Sequence, residues 1–269
     1  MPLTSKVALV TGASAPNGIG RAIALRLAAN GASVVVSDLP NAFEGAGMSL
    51  LNELVDDIRA GGGQAVAQAL DVTSGEQIAA AVSATIDTFG SIDILVNNAG
   101  SLTGSSAFLS TTPDQWRASF DVNIMGPMML CHAVIPVMQA KAQGRIINIG
   151  STGSLGAEPG FGAYTAMKHG LVGFTKTLAA EFGSDGILCN TVCPGYIATD
   201  MHMAANTRLA AEQGISIDEI MQQRYASVAL RDAGLPRDVA NAVAYLAGPE
   251  ANYVTGINLP VTGGVPFGI

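Results

Sequence analysis

The chain has 269 residues, 49% of them hydrophobic and 13% charged, with a formal net charge of −8. That acidic balance argues against nucleic acid or an anionic membrane surface as the main partner. It leaves room for a small phosphorylated ligand, which backbone amides suffice to hold.

Short apolar runs occur at Val7–Val10, Ser33–Ser37, Ala65–Leu70, Ile92–Val96, Arg145–Ile149, Ile187–Val192 and Ile257–Val261. Unbroken apolarity over so few residues predicts strands covered on both faces. Helical patterns fall between them, at Gly20–Asn30, Ser49–Ala60, Gly75–Phe89, Pro113–Gln139, Gly162–Phe182 and Pro236–Gly248. Strand and helix in alternation predict an α/β chain with a parallel, doubly wound sheet of about seven strands and helices on both faces. No linker or repeat interrupts it, so residues 1–269 read as one domain.

Two stretches break the rhythm. Pro40–Met48 lengthens the crossover after the second strand. Thr199–Asp232 places over thirty residues after the sixth strand, with one helix expected at Asp218–Tyr225. A long insertion at a strand's carboxyl end is placed to cover a ligand. The insertion (199–232) is therefore read as a substrate lid in preference to an ordinary surface hairpin. The segment Met1–Val10 lacks a charged stretch followed by an apolar signal core. The longest apolar candidate, Ile124–Met138, is too short for a membrane span and contains two prolines. Cys131, Cys189 and Cys193 show no metal-ligand spacing, so no metal is expected. With thiols read as reduced, the expected compartment is the cytoplasm. His132 reads as a histidine packed on an apolar helix face, and His202 falls within the lid.

The chemistry-bearing residues cluster at the carboxyl ends of the expected strands. Gly12, Gly18 and Gly20, with Asn17 and Ile19 among them, form a strand–loop–helix start. Such a loop lets backbone approach a pyrophosphate. Asp38 follows the second strand, about twenty residues on, where a carboxylate accepts from ribose hydroxyls and repels a 2′-phosphate. No Lys or Arg lies between Gly12 and Gly20 or immediately after Asp38, which predicts NAD over NADP. Asp71 either meets an adenine edge or caps the helix that starts near Ser74. Asn97-Asn98-Ala99-Gly100 closes the fourth strand with small residues and a side chain able to tie neighbouring strands. Tyr164 and Lys168 are one helical turn apart, and Ser151 lies thirteen residues before the tyrosine. A fixed cation favours the phenolate, and lowering a tyrosine pKa by about 2 corresponds to about 2.7 kcal/mol.

Together these pieces resemble the short-chain dehydrogenase/reductase family in its single-domain, NAD-type branch. The resemblance covers essentially the whole chain, through Thr11-Gly12, Gly18-Ile19-Gly20, Asp38, Asp71-Val72, Asn97 to Gly100, Asn123, Ser151, Tyr164 with Lys168, Pro194-Gly195 and Gly263-Gly264. The chain departs from the family pattern in two places. Five residues, Ala13 to Asn17, separate the first two glycines where the family has three, and Thr262 precedes the last glycine pair where the family has an acid.

The resemblance implies a Rossmann-like fold and a catalytic set of Asn123, Ser151, Tyr164 and Lys168. Tyr164 would be the acid/base, Lys168 would lower its pKa and hold the nicotinamide ribose, and Ser151 would hold the substrate oxygen. Asn123 would support a water chain to the lysine, or simply stabilise a helix kink. Asn98, Ala99 and Gly100 would line the cofactor cleft, and Pro194, Ile197 and Thr199 would flank the nicotinamide. The expected activity is NAD-dependent interconversion of a secondary alcohol and its ketone. The alternatives are an NADPH-dependent 3-oxoacyl-type ketoreductase and a non-catalytic NAD-sensing protein. A homotetramer is expected, through apolar faces of Ile124–Met138 and Gly162–Ala180.

Overall fold

Each of the seven apolar runs is a strand in the computed structural model, which describes residues 2–266 apart from the side chains of residues 43 and 44. Met1 and 267–269, the ends of the expected domain, lie outside the described residues. The strands are β1 (Val7–Thr11), β2 (Ser33–Asp38), β3 (Gln64–Ala69), β4 (Ile94–Asn97), β5 (Gly144–Ile149), β6 (Ile187–Pro194) and β7 (Asn258–Val261). They form one parallel sheet in the order β3-β2-β1-β4-β5-β6-β7. The chain reverses its direction of winding between β1 and β4, which opens a crevice above their carboxyl ends, the usual ligand site in such sheets.

Ten α-helices cover the sheet among the described residues: α1 (Ile19–Ala29), α2 (Ala42–Gly45), α3 (Gly47–Ala60), α4 (Gly75–Phe89), α5 (Pro113–Phe120), α6 (Gly126–Gln139), α7 (Gly162–Phe182), α8 (Asp200–Gln213), α9 (Ile217–Ala226) and α10 (Pro236–Ala247). Successive residues of β1 serve opposite faces. Ala8 and Val10 join the core under α1, α3 and α10, while Leu9 joins the core under α4, α6 and α7. All five β1 residues are buried, so the strand reads as continuously apolar although its side chains alternate.

Four features differ from the sequence expectations. First, the long helical pattern Pro113–Gln139 is continuous, but Asp121–Met125 is a π-helical turn between α5 and α6. The 27-residue stretch is long and apolar enough, by length and composition, to cross a membrane. Here α6 packs on α4, β4 and β5. Second, the insertion holds two helices where one was expected. Helix α8 escaped notice because only Ala205, Asn206 and Ala210 are buried along it, too few to print an apolar stripe. Third, the lengthened crossover contains the single turn α2. Fourth, His132 is exposed on α6 and is not packed.

A polar thread crosses the otherwise apolar layer between sheet and α7. Asn97 Nδ2 donates to Asn148 Oδ1 at 2.8 Å, and Asn148 Nδ2 donates to Thr175 Oγ1 at 2.8 Å. Thr191 Oγ1 reaches the same Thr175 oxygen at 2.9 Å. All four residues are buried. The thread links β4, β5, β6 and α7; β5 leads into Ser151, and α7 carries Tyr164 and Lys168.

Candidate active site

The crevice at the switch point is a cavity of about 990 Å³. Its nucleotide end is built mostly from backbone. Gly12 has φ +69°, and a Cβ there would lie 2.8 Å from Ala99 Cα, so only glycine fits without a shift. A Cβ on Gly20 would lie 2.3 Å from the Gly12 carbonyl oxygen, which makes its role close packing behind the cavity. Asn98 Nδ2 donates to the carbonyls of Thr11 and Gly12 at 2.9 and 2.8 Å, tying β4 to the start of the loop. Helix α1 begins at Gly18 with no side-chain cap, which leaves its first amides available to an anion. The glycine cradle and the uncapped helix terminus fit a dinucleotide.

Asp38 lines this end, and its carboxylate is already oriented. It accepts from the Ser14 amide at 3.0 Å, the Ser14 hydroxyl at 2.6 Å and the Leu39 amide at 2.8 Å. Ser14 belongs to the lengthened loop, a partnership the sequence did not announce. Asp71 and Val72 also line the cavity. Asp71 does not cap α4. Its Oδ1 accepts from the Thr73 amide and hydroxyl at 2.9 and 2.7 Å, while Ser74 is the capping residue. Ile19, Ala99, Gly100, Pro194, Ile197 and Thr199 line the cavity as well. Thr199 caps α8 by accepting from the His202 amide at 3.1 Å.

Asn17 is not among the lining residues. Its side chain donates to Asp200 Oδ1 at 3.1 Å, so the extra length of the glycine loop reaches across to the first turn of α8.

At the centre, Ser151 follows β5 in a short 3-10 turn, and Tyr164 and Lys168 lie near the start of α7. All three line the cavity. Ser151 draws the pKa of the Tyr164 phenol down. The Lys168 ammonium lies 5.6 Å from the centroid of the tyrosine ring and donates to the Ile149 carbonyl at 2.7 Å. Burial is the largest influence on both groups. It pushes the Tyr164 phenol above its usual value, against the Ser151 hydrogen bond, with Cys193 adding to the rise. It draws Lys168 down to about 8, partly opposed by Cys193.

The expectation that Lys168 lowers the Tyr164 pKa meets an opposing influence in the burial of the phenol. One of the ammonium's three N–H donors goes to the Ile149 carbonyl.

Asn123 occupies the π-helical turn and is fully buried. Its Nδ2 donates to the carbonyls of Ser101 and Ser119 at 3.0 and 2.9 Å, and its Oδ1 accepts from the Ser101 amide at 3.3 Å. It does not line the cavity. It holds the loop after Gly100, a position where an added Cβ would come within 3.6 Å of the Lys168 ammonium.

The far wall holds residues the sequence left out of the site. Tyr196, His202 and Arg224 line the cavity, and Tyr225 and Asn206 stand behind them. His202 stacks on Tyr196 with centroids 5.6 Å apart and lies 2.9 Å from the Tyr225 hydroxyl. Burial, helped by the Arg224 charge, lowers its pKa from 6.5 to about 4. Glu158, without a motif in the sequence, is also part of the cavity wall. No spacing announces these contacts, because they join the loop before α7 to two helices of the insertion.

A sheet in this order with a Ser–Tyr–Lys set over its switch point defines an oxidoreductase of the Rossmann type. Comparison with known proteins specifies the family. The profile described as Enoyl-(Acyl carrier protein) reductase matches residues 12–266. The 3-oxoacyl-[acyl-carrier-protein] reductase FabG of Vibrio cholerae is 41% identical over 265 residues, 98% of this chain and 99% of the relative. The 3-oxoacyl-[acyl-carrier-protein] reductase of a Synechocystis strain is 38% identical, covering 98% of each. Among solved structures, an actinorhodin polyketide ketoreductase with NADPH has a TM-score of 0.90 at 36% identity, covering 98% of this chain and 99% of its own. An NAD+-bound xylitol dehydrogenase has a TM-score of 0.90 at 30% identity, covering 98% and 100%. The chain belongs to the short-chain dehydrogenase/reductase family, whose members bind a nicotinamide cofactor and act on a carbonyl or hydroxyl group.

Proposed function

We propose that the protein is a ketoreductase of the 3-oxoacyl type, converting a 3-oxo group to a secondary alcohol. This is the reading held second in the sequence analysis. The 3-oxoacyl reductases among its relatives support it over a general NAD-dependent alcohol dehydrogenase. The observation that carries it is the meeting of Ser151, Tyr164 and Lys168 on one cavity wall. In the direction of reduction the Tyr164 phenol is the proton donor. A nicotinamide nucleotide, when bound, supplies the hydride. Gly12, the amides at the start of α1, and the cleft residues from Asn98 to Gly100 would hold it. Ser151 fixes the carbonyl oxygen, Tyr164 donates the proton to that oxygen, and Lys168 keeps positive charge beside the phenol as it ionises. Asn123 positions the Gly100 loop.

The identity of the nucleotide is a separate question. NADPH is supported by the actinorhodin ketoreductase structure, which holds that nucleotide. A second reading, NADH or NAD as cofactor, is favoured by Asp38, whose anchored carboxylate faces the ribose end where a 2′-phosphate would sit. We also propose a single catalytic domain with the insertion as its lid, a cytoplasmic location and a homotetrameric assembly.

Initial rates with a 3-oxo ester and each nucleotide test the proposal. Reduction is expected, with kcat/KM falling as pH rises through about 8, where Lys168 loses its charge. No reduction with either nucleotide would refute the ketoreductase reading. A preference for NADPH would refute the Asp38 argument alone.

A further inference from the structure

The cavity wall carries two cations, Lys168 at the catalytic centre and Arg224 on α9. Arg224 is enclosed, with only 11% of its side chain exposed. Its guanidinium lies over the Tyr196 ring, 4.4 Å from the centroid, a cation–π contact that helps to hold it in place. One terminal nitrogen donates to Asn206 Oδ1 at 2.6 Å, and the other lies 3.2 Å from the Glu158 carboxylate.

A guanidinium has five N–H donors, so these partners do not exhaust it. Nε is buried without a partner among the described residues. The terminal nitrogens keep further N–H donors on a residue of the cavity wall, and an oxygen arriving there can accept from them. The sign of that oxygen's charge follows from Glu158, which already neutralises the guanidinium. A substrate carboxylate would have to compete with Glu158 for the cation, whereas a neutral carbonyl would not.

We propose that Arg224 determines substrate specificity by donating to a second, uncharged carbonyl oxygen, the ester or thioester carbonyl beside the reacting ketone. Glu158 keeps that wall neutral and disfavours free 3-oxo acids. The inference rests on the ketoreductase reading and names the residues that would recognise the second carbonyl of its 3-oxoacyl substrate.

The test compares ethyl 3-oxobutanoate with 2-heptanone, which has the same chain length without the second carbonyl, and with free 3-oxobutanoate. The full-length protein is used with whichever nucleotide supports turnover. Wild type is expected to prefer the ester. Arg224→Gln should lower kcat/KM for the ester by about 10–150-fold, the range for a hydrogen bond to a charged group, mainly through KM. It should leave 2-heptanone within about threefold.

Glu158→Gln should raise turnover of the free acid by about fivefold or more, since it removes the competing charge. Arg224→Lys retains a cation beside Glu158 but loses the fork. It should show the same selective loss on the ester if the Gln variant does not fold. Equal losses on ester and ketone in a folded variant would make Arg224 a brace of the lid and overturn the proposal. So would a wild type that reduces 2-heptanone as well as the ester. A wild type that reduces neither would overturn the ketoreductase reading and this inference with it.

Discussion

The two ends of the cavity are made differently. The nucleotide end is backbone brought close by glycine, with Asp38 held by neighbours on the loop beside it. The far end is side chains, Tyr196, His202, Arg224 and Glu158, gathered from two loops and the two helices of the insertion. The first kind of site is written in short-range spacing. The second depends on how distant segments pack, and it is where members of one family can diverge without disturbing the fold.

Substitutions sharpen that contrast, beginning with the catalytic centre that both ends serve. Tyr164→Phe should reduce kcat by about 10²–10⁴-fold with little change in nucleotide affinity. Single-turnover rates and nucleotide titration check this, and a variant with near wild-type turnover would remove the acid role.

At the far end, His202 carries a pH signature. Its pKa is about 4 in the folded chain against 6.5 unfolded, so the unfolded chain takes up a proton first as pH falls. Its contribution is therefore intact above pH 6.5 and is lost on descent to about 4, on the order of 3 kcal/mol. Urea unfolding of wild type and His202→Gln across that window should show a shallower slope in the variant. Equal slopes would mean that the ring is not held neutral.

At the nucleotide end, Gly12→Ala should cost about 2–3 kcal/mol of stability, because positive φ and a backbone clash act together. It should weaken nucleotide binding as well, and a variant of wild-type stability would break the backbone account of this end. Asp38→Ala should shift the NADPH-to-NADH ratio of kcat/KM toward NADPH by about tenfold, as a like charge is removed. An unchanged ratio would place nucleotide choice elsewhere. The smallest effect is expected at the clasp between the two ends. Asn17→Ala removes an exposed hydrogen bond to Asp200 and should raise the nucleotide KM only about two- to fivefold.

Much of this was legible in the amino-acid order, for physical reasons. The five inner strands stood out because burial on both faces forces continuous apolarity, whereas the edge strands β3 and β7 are only partly buried. Helices α4 and α7 matched their expected limits at Gly75–Phe89 and Gly162–Phe182, one bounded by Gly90 in the left-handed conformation and the other by a glycine-rich turn. The Ser151, Tyr164 and Lys168 set emerged because one helical turn and one loop bring the three together. Helix α8 was hidden because so few of its residues are buried, and the π-helical turn at Asn123 was hidden because its helical pattern continues on both sides. Sequence spacing reveals the cation one turn from Tyr164 but not the depth of burial that pushes the phenol's pKa up. Arg224 and Glu158, 66 residues apart, could be paired only in three dimensions.

The polar thread from Asn97 through Asn148 and Thr175 to Thr191 has a consequence for accuracy of folding. Strand side chains alternate, so sliding β5 by a single position would turn Asn148 outward and strand its partners without hydrogen bonds. Asn148 lies three residues before Ser151, and Thr175 lies two turns beyond Lys168 on α7. The same slip would therefore misplace Ser151 relative to Tyr164 and Lys168 on α7. Misaligned chains are penalised by the core itself, so the molecules that survive folding carry serine, tyrosine and lysine in working alignment.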